Sequence, residues 1–117
     1  MLGPSNRLTR ESIETGRSQR SVYKELTAAA TLVPGDSVVH VTANTATDDW
    51  ALTLPAVGEA AGMVVTIRAT IANAKTVEVQ DQDDSVGWTN IDLDTDADYV
   101  VLYCDGVYWH TITNGVA

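Results

Sequence analysis

Alternating aspartates form the most conspicuous chemical pattern in the sequence: Asp92, Asp94, Asp96 and Asp98. Carboxylates at this spacing are typical calcium ligands, but an EF-hand loop also needs Gly at its sixth position and Glu at its twelfth. Counted from Asp92, those positions hold Ala97 and Tyr103. We therefore interpret the run as a solvated turn, and a cation site, fortuitous or formed in an assembly, is the alternative. The second acidic cluster is interpreted in the same way: Asp81, Asp83 and Asp84.

The histidines and the cysteine offer little catalytic chemistry. His40 and His110 are the only histidines, and neither has a second His or a Cys at metal-ligand spacing. A ring of symmetry-related histidines in an oligomer is the alternative that would bind metal. Cys104 is the only cysteine, and we interpret it as a small buried side chain rather than a nucleophile. No Gly-x-Ser-x-Gly motif and no glycine-rich phosphate loop is present, so we expect no enzyme and no cofactor.

Three tryptophans could provide a carbohydrate platform: Trp50, Trp88 and Trp109. Because the chain contains no Phe, these side chains are needed as bulk, and we interpret them as core or interface anchors. The carbohydrate platform remains the alternative.

The elements that must position these residues are β-strands. Val, Ile and Thr together make up 35 of 117 residues, and β-branched side chains favour strands. Residues 62–71 alternate apolar and polar positions, as residues 39–43 and 50–54 also do. No helical period is present in residues 26–117, and about seven or eight short strands at regular spacing predict an antiparallel β-sandwich or barrel, of the jelly-roll or tulip-like kind.

Turn residues divide these strands. Pro34-Gly35-Asp36 ends a predicted strand at residues 27–33, and a further strand is predicted at residues 86–93. Asp105 and Gly106 separate two apolar runs, and such a pair predicts a two-residue type I′ hairpin turn.

Charge divides the chain into two predicted parts. Residues 1–25 carry five basic residues against three acidic ones, a net charge of +2, whereas residues 26–117 carry two against thirteen, a net charge of −11. This predicts an extended basic N-terminal arm at residues 1–25 and an acidic β-domain at residues 26–117. The overall charge of −9 argues against nucleic acid as a specific partner. We expect no secretory signal and no membrane-spanning segment.

Three motifs give the chain a recognisable resemblance: Leu52-Thr53-Leu54-Pro55, the strand from Gly62 to Ile67, and the hairpin from Val100 to Trp109. With these motifs in this order, residues 38–113 resemble small β-structured virion proteins of tailed bacteriophages. The basic arm makes the chain most similar to a capsid decoration, or cement, protein. The resemblance implies a homo-oligomer, with a trimer favoured, that staples neighbouring major capsid subunits and stabilises the head through several weak contacts at once.

The same resemblance implies a location on the capsid surface of the virion, after assembly in the bacterial host cytoplasm. We expect four arm residues to contact acidic capsid surface: Arg7, Arg10, Arg17 and Arg20. We expect Trp50, Trp88 and Trp109 to anchor the core, and Asp105 and Gly106 to shape the terminal hairpin. A tail, adaptor or fibre-attachment protein, or a carbohydrate-binding β-module, are the alternatives that the residues leave open.

Overall fold

This computed structural model describes residues 22–44 and 47–116. Within these ranges, the segments of alternating apolar and polar residues form strands. The described part contains nine strands and one 3₁₀ turn at Val57–Glu59, which confirms the prediction of an all-β protein. The strands are β1 (Val22–Leu26), β2 (Ala30–Thr31), β3 (Asp36–Ala43), β4 (Trp50–Thr53), β5 (Val64–Ile71), β6 (Val77–Gln80), β7 (Ile91–Leu93), β8 (Tyr99–Cys104) and β9 (Trp109–Asn114).

The strands form a sandwich of two mixed sheets. A five-stranded sheet has the order β1-β3-β5-β8-β9, and a four-stranded sheet has the order β2-β4-β6-β7. The expectation of purely antiparallel pairing is therefore wrong, because β1, β3 and β5 pair in parallel and so do β2, β4 and β6. The first six strands alternate between the sheets, so each strand of one sheet serves as the crossover that parallel neighbours in the other sheet require. Only the pairs that involve β7, β8 and β9 are antiparallel.

The core lies between the two sheets and follows the period-two alternation of the strands. On β5, Val65, Ile67 and Ala69 are buried while Val64 and Arg68 are exposed. The other strands supply aliphatic side chains of similar size. The largest fully buried side chains are Leu32, Leu52, Leu54, Ile67, Leu93 and Leu102.

Two predicted strands are shorter in the structure than in the prediction. Of residues 27–33 only Ala30–Thr31 is strand, and of residues 86–93 only Ile91–Leu93 is strand. In the second case Gly87 has a φ of +81° and Val86 is 83% exposed. A positive φ breaks the extended conformation, so this segment is a turn despite its apolar composition.

The terminal hairpin is confirmed, since β8 and β9 pair in antiparallel fashion, but its predicted two-residue type I′ turn is wrong. Only Gly106 has a positive φ, +95°, whereas a type I′ turn requires positive φ at both central residues. The strands end at Cys104 and Trp109, which leaves a four-residue connection. The Asp105 carboxylate accepts hydrogen bonds from the N–H groups of Val107 and Tyr108 and thereby shapes this longer loop.

Residues 22–25, which the charge pattern assigned to the arm, belong to β1 at the edge of the five-stranded sheet. Lys24 on this strand forms an ion pair with the buried carboxylate of Asp36 at 2.9 Å. The four arm arginines, Arg7, Arg10, Arg17 and Arg20, lie outside the described residues. Within the described ranges no helix is long and apolar enough to cross a membrane.

Candidate interaction surface

The outer face of the five-stranded sheet carries large apolar and aromatic side chains. One row of registered residues crosses all five strands, from Tyr23 on β1 through Val38, Thr66 and Val101 to Thr113 on β9. We call the large side chains of this surface the aromatic face: Tyr23, Val38, Val64, Tyr99, Val101 and Tyr103. Tyr23 is 57% exposed and Val64 is 51% exposed, so the aromatic face places much apolar surface in water.

Polar and charged side chains cross the aromatic face in a second row. Glu25, His40 and Arg68 are registered neighbours on β1, β3 and β5, and Arg68 lies opposite Tyr99 on β8. The Nε2 atom of His40 lies 2.7 Å from the hydroxyl of Thr70. The face thus combines aromatic rings with an arginine, and both residue types are enriched in protein interfaces.

The hairpin loop adds an ordered cluster beside the aromatic face. The ring of His110 stacks on Tyr103 with centroids 4.8 Å apart and meets Tyr108 edge-on at 6.3 Å. Its Nε2 atom lies 2.8 Å from Oδ2 of Asp105. The backbone N–H of Tyr108, the His110 ring and the backbone N–H of Val107 together lower the pKa of Asp105 to about 2. The ionised Asp105 carboxylate therefore holds both the loop backbone and the histidine ring.

The outer face of the four-stranded sheet has the opposite character. Its outward positions hold small, polar and acidic residues: Thr31, Ala51, Thr53, Glu78, Gln80 and Asp92. Glu78 lies directly opposite Asp92, a like-charge pair that such a sheet tolerates only where water screens it. None of the large exposed apolar side chains in the described part lies on a strand of this sheet, whereas seven of the eleven lie on strands of the other sheet.

In the acidic loops that suggested cation binding, the carboxylates accept hydrogen bonds from backbone N–H groups. Oδ2 of the buried Asp98 accepts hydrogen bonds from the N–H groups of Asp94 and Thr95. Oδ2 of Asp84 accepts the N–H of Val57 at 2.9 Å, across 27 residues of sequence. Other aspartates do the same: Asp36, Asp49, Asp81, Asp96 and Asp105.

Within the part of the chain that the structure describes, neither the aspartates nor the histidines form a set of metal ligands. In residues 22–44 and 47–116, no three His, Cys, Asp or Glu side chains are grouped so that they could hold an ion. His40 and His110 both lie on outward positions of the five-stranded sheet, each beside a different polar partner. The thiol of Cys104 is buried, as predicted, and it donates to the carbonyl oxygen of Val57 at 3.5 Å.

The three tryptophans are separated in the structure and do not form one platform. Trp109 is only 4% exposed and its Nε1 donates to the carbonyl oxygen of Pro55. Nε1 of Trp50 donates to the carbonyl oxygen of Thr42, and this ring packs against the core near a different surface depression. Trp88 is half-buried and also packs against the core.

A groove opens between β7 and β9, which are edge strands of the two sheets at the same end of the sandwich. Its volume is about 780 Å³. We call it the β7–β9 groove, and we define it by the residues of its wall that carry exposed rings or polar groups: Trp88, Asn90, Asp92, Tyr108, Thr111 and Asn114. It is separate from the aromatic face, which is the outer surface of one sheet rather than the opening between the two.

The residues of the aromatic face were not predicted, although the sequence contains a pattern that indicates them. Val38-Val39, Val64-Val65 and Val100-Val101 are pairs of adjacent valines inside strands. Since adjacent strand residues point to opposite faces, a valine pair places one apolar side chain in the core and one outside it.

Comparison with known proteins adds no relatives, since no family model and no curated protein matches the chain.

Proposed function

We propose that this chain is a non-enzymatic structural protein that binds a protein partner through its aromatic face. The observation that supports this is the contrast between the two outer sheet surfaces, one aromatic and apolar, the other small, polar and acidic. Contiguous exposed apolar surface is uncommon on a monomer that has no partner. Tyrosine, which supplies three of the six side chains of the aromatic face, is also enriched in the residues that dominate binding energy.

The specific function that we propose is that of a capsid decoration protein that staples neighbouring major capsid subunits. The resemblance carried by the Leu52–Pro55 (LxLP) motif, the strand from Gly62 to Ile67 and the Asp105–Trp109 (DGxxW) motif supports this assignment. A sandwich with two different outer faces is also suited to a protein that binds the capsid on one side only. In this proposal the aromatic face packs on the capsid, and the acidic face of the four-stranded sheet stays in water and keeps the particle soluble. A trimer whose arms and aromatic faces bind together would gain retention from avidity rather than from any single contact.

A tail, adaptor or fibre-attachment protein is the second candidate, because the same motifs and the same aromatic face would serve it. The number of copies in a particle separates the two candidates. A capsid decoration protein is expected in about as many copies as there are capsid subunits, whereas a tail or portal protein is expected in the few copies of a single closed ring. Locating the chain in particles from its native source by electron cryomicroscopy, at either position, tests the structural role directly.

A variant series tests the aromatic face itself. Val38→Glu and Val64→Glu each place a charge on the aromatic face, at positions that are 36% and 51% exposed. Thr31→Glu is the matched control, at an exposed position on the outer face of the four-stranded sheet. We expect both valine variants to dissociate from the particle at lower salt or lower urea than the wild-type protein, and the control to be retained. Equal retention of all three variants, or absence of the chain from particles, would contradict the proposal.

A further inference from the structure

The β7–β9 groove is a second surface feature, separate from the aromatic face on which the proposed function rests. Neither β7 nor β9 has a strand on its outer side within the described residues, so the sandwich stays open between them. Its volume of about 780 Å³ falls within the range of small-ligand sites, which runs from about 300 to 1,000 Å³.

Each side of the groove presents an aromatic side chain. Among the described residues, Nε1 of Trp88 is buried without a hydrogen-bond partner while the residue as a whole is only half-buried. The indole therefore lines the groove with ring carbons rather than with its N–H group. Tyr108 faces the same space and is 39% exposed. Two aromatic side chains thus offer apolar surface to a ligand in one groove.

The turn that carries Trp88 is fixed by hydrogen bonds. The carboxylate of Asp81 accepts the N–H of Ser85, and the carbonyl oxygen of Ser85 accepts the N–H of Trp88 at 3.1 Å. The hydroxyl of Ser85 in turn accepts the N–H of Trp109 at the start of β9. Both sides of the groove are therefore tied together before a ligand arrives, which reduces the entropic cost of binding.

The polar side chains on both sides of the groove supply hydrogen-bond donors and acceptors. Asn90 and Asp92 make no side-chain hydrogen bond to any residue in the described part of the chain. Oδ1 of Asn114 accepts the N–H of Val116, which leaves its NH₂ group as a donor. The hydroxyl of Thr111 adds a group that can donate and accept.

The groove carries negative charge, which disfavours anionic ligands. Asp92 and Asp94 line it, and no Lys or Arg does so among the described residues. Phosphate, sulfate and sialylated ligands are therefore disfavoured by like charge. An arginine side chain would satisfy the carboxylates, but it carries only donors and would leave the donors of Asn114 and Thr111 without acceptors.

We propose that the β7–β9 groove binds a short neutral oligosaccharide. A sugar ring matches both walls, because its C–H face packs on the rings of Trp88 and Tyr108 while its hydroxyls, each a donor and an acceptor, pair with Asn90, Asp92 and Asn114. The site differs from the platform of three tryptophans considered from the sequence, since Trp50 lies elsewhere and Trp109 is buried.

A glycan array tests the proposal. The chain is applied to neutral gluco-, manno- and galacto-oligosaccharides. Sialylated glycans, sulfated glycans and a peptide of residues 1–21 are immobilised on the same array as competing candidates. We expect binding to neutral glycans only. For the strongest neutral probe, titration calorimetry should show a loss of affinity of about tenfold for Tyr108→Ala, the size of one aromatic contact. Asp92→Asn, which keeps the side-chain shape, should also weaken binding.

Tyr23→Ala is the matched control, because it removes an exposed tyrosine from the aromatic face rather than from the groove. It should leave glycan affinity unchanged. Circular dichroism checks that each variant is folded, and Tyr108 and Asp92 are both exposed, so neither substitution removes core packing. No binding to any neutral glycan, affinity unaffected by Tyr108→Ala and Asp92→Asn, or binding of the anionic glycans or the peptide in place of neutral glycans would overturn the proposal.

Discussion

The indole Nε1 of Trp109 donates a hydrogen bond to the carbonyl oxygen of Pro55 at 3.2 Å, and both residues are buried. Trp109 begins β9 of the five-stranded sheet, and Pro55 follows β4 of the four-stranded sheet. The bond therefore joins the two layers of the sandwich across 54 residues of sequence. It also joins the tryptophan of the Asp105–Trp109 motif to the proline of the Leu52–Pro55 motif, so these two motifs contact each other in the folded chain.

Replacing Trp109 with Phe should measure the worth of this bond. The substitution keeps an aromatic ring in the core but leaves the buried carbonyl oxygen of Pro55 without its donor, which costs about 1–3 kcal/mol. We expect the free energy of unfolding in urea to fall by at least that amount, because the smaller phenyl ring also leaves part of the space of the buried indole unfilled. Tyr99→Phe is the control, because it also removes one polar group from a ring, but at a position that is 40% exposed. A loss no larger for Trp109→Phe than for Tyr99→Phe would contradict this reading of the bond.

Strand positions and buried faces were predictable because they depend on local alternation. The buried faces of β3 and β5 follow directly from the alternating apolar and polar residues 39–43 and 62–71. Which strands become neighbours was not predictable, because alternation determines the face of a side chain but not the partner of a strand. The parallel pairing of β3 with β5 depends on β4 joining the other sheet, and no local pattern encodes that choice.

The acidic loops show a second limit of the sequence. Asp84 and Asp98 belong to two similar clusters of carboxylates. From the sequence alone, each cluster can be interpreted only as a solvated turn or as a set of cation ligands. In the structure, Asp84 accepts the N–H of Val57, which is 27 residues away, and Asp98 closes its own turn. A long-range partner of this kind exists only once both sheets have formed. The β7–β9 groove was not predictable for the same reason, since its two walls come from different sheets.

Asp98 should be important for stability, although its acidic cluster looks like a solvated loop. Its carboxylate is 2% exposed and accepts two backbone N–H groups. Asp98→Ala leaves both donors without this acceptor, so we expect the free energy of unfolding to fall by about 1–3 kcal/mol. Asp94→Ala is the matched control, because among the described residues the exposed carboxylate of Asp94 bonds only the hydroxyl of Thr95. Similar losses for the two variants in urea denaturation would show that the turn does not depend on Asp98.

Asp105 should remain ionised far into the acid range. Its pKa is lowered from the usual 3.8 to about 2, first by the N–H of Tyr108 and then by His110 and the N–H of Val107. Because the fold favours the charged form, its contribution to stability is complete above pH 3.8 and is lost as the pH falls through about 2. The side-chain carboxyl ¹³C resonance should titrate with a midpoint near 2. A midpoint near 3.8 would mean that the loop hydrogen bonds do not persist in solution.

Asp105→Asn extends that test to the loop. The amide oxygen can still accept the N–H groups of Val107 and Tyr108, but the side chain no longer titrates. We expect the stability of this variant to depend less on pH between 2 and 4 than that of the wild-type chain, as followed by thermal unfolding. An unchanged pH dependence would show that other carboxylates account for the acid sensitivity in this range.

Gly115 should be required for the position of Tyr99 on the aromatic face. The N–H of Gly115 donates to the carbonyl oxygen of Tyr99 at 2.9 Å, and a Cβ added at Gly115 would overlap the Tyr99 ring. The φ of Gly115 is not in the left-handed region, so the effect of a side chain there is steric. We expect Gly115→Ala to displace the Tyr99 ring and to lower the free energy of unfolding by about 1 kcal/mol or less, because the ring is 40% exposed and can move towards solvent.

A double-mutant cycle separates this steric contact from any general effect of alanine at the end of β9. If the Tyr99 ring is the obstacle, Gly115→Ala should cost much less in a Tyr99→Ala background, and the two substitutions should couple measurably. Gly58→Ala is the control, because a Cβ at Gly58 meets no atom within 4 Å. Since Tyr99 belongs to the aromatic face, Gly115→Ala should also weaken retention on the proposed partner while Gly58→Ala leaves it unchanged. An equal cost of Gly115→Ala with and without the Tyr99 ring would contradict the steric argument.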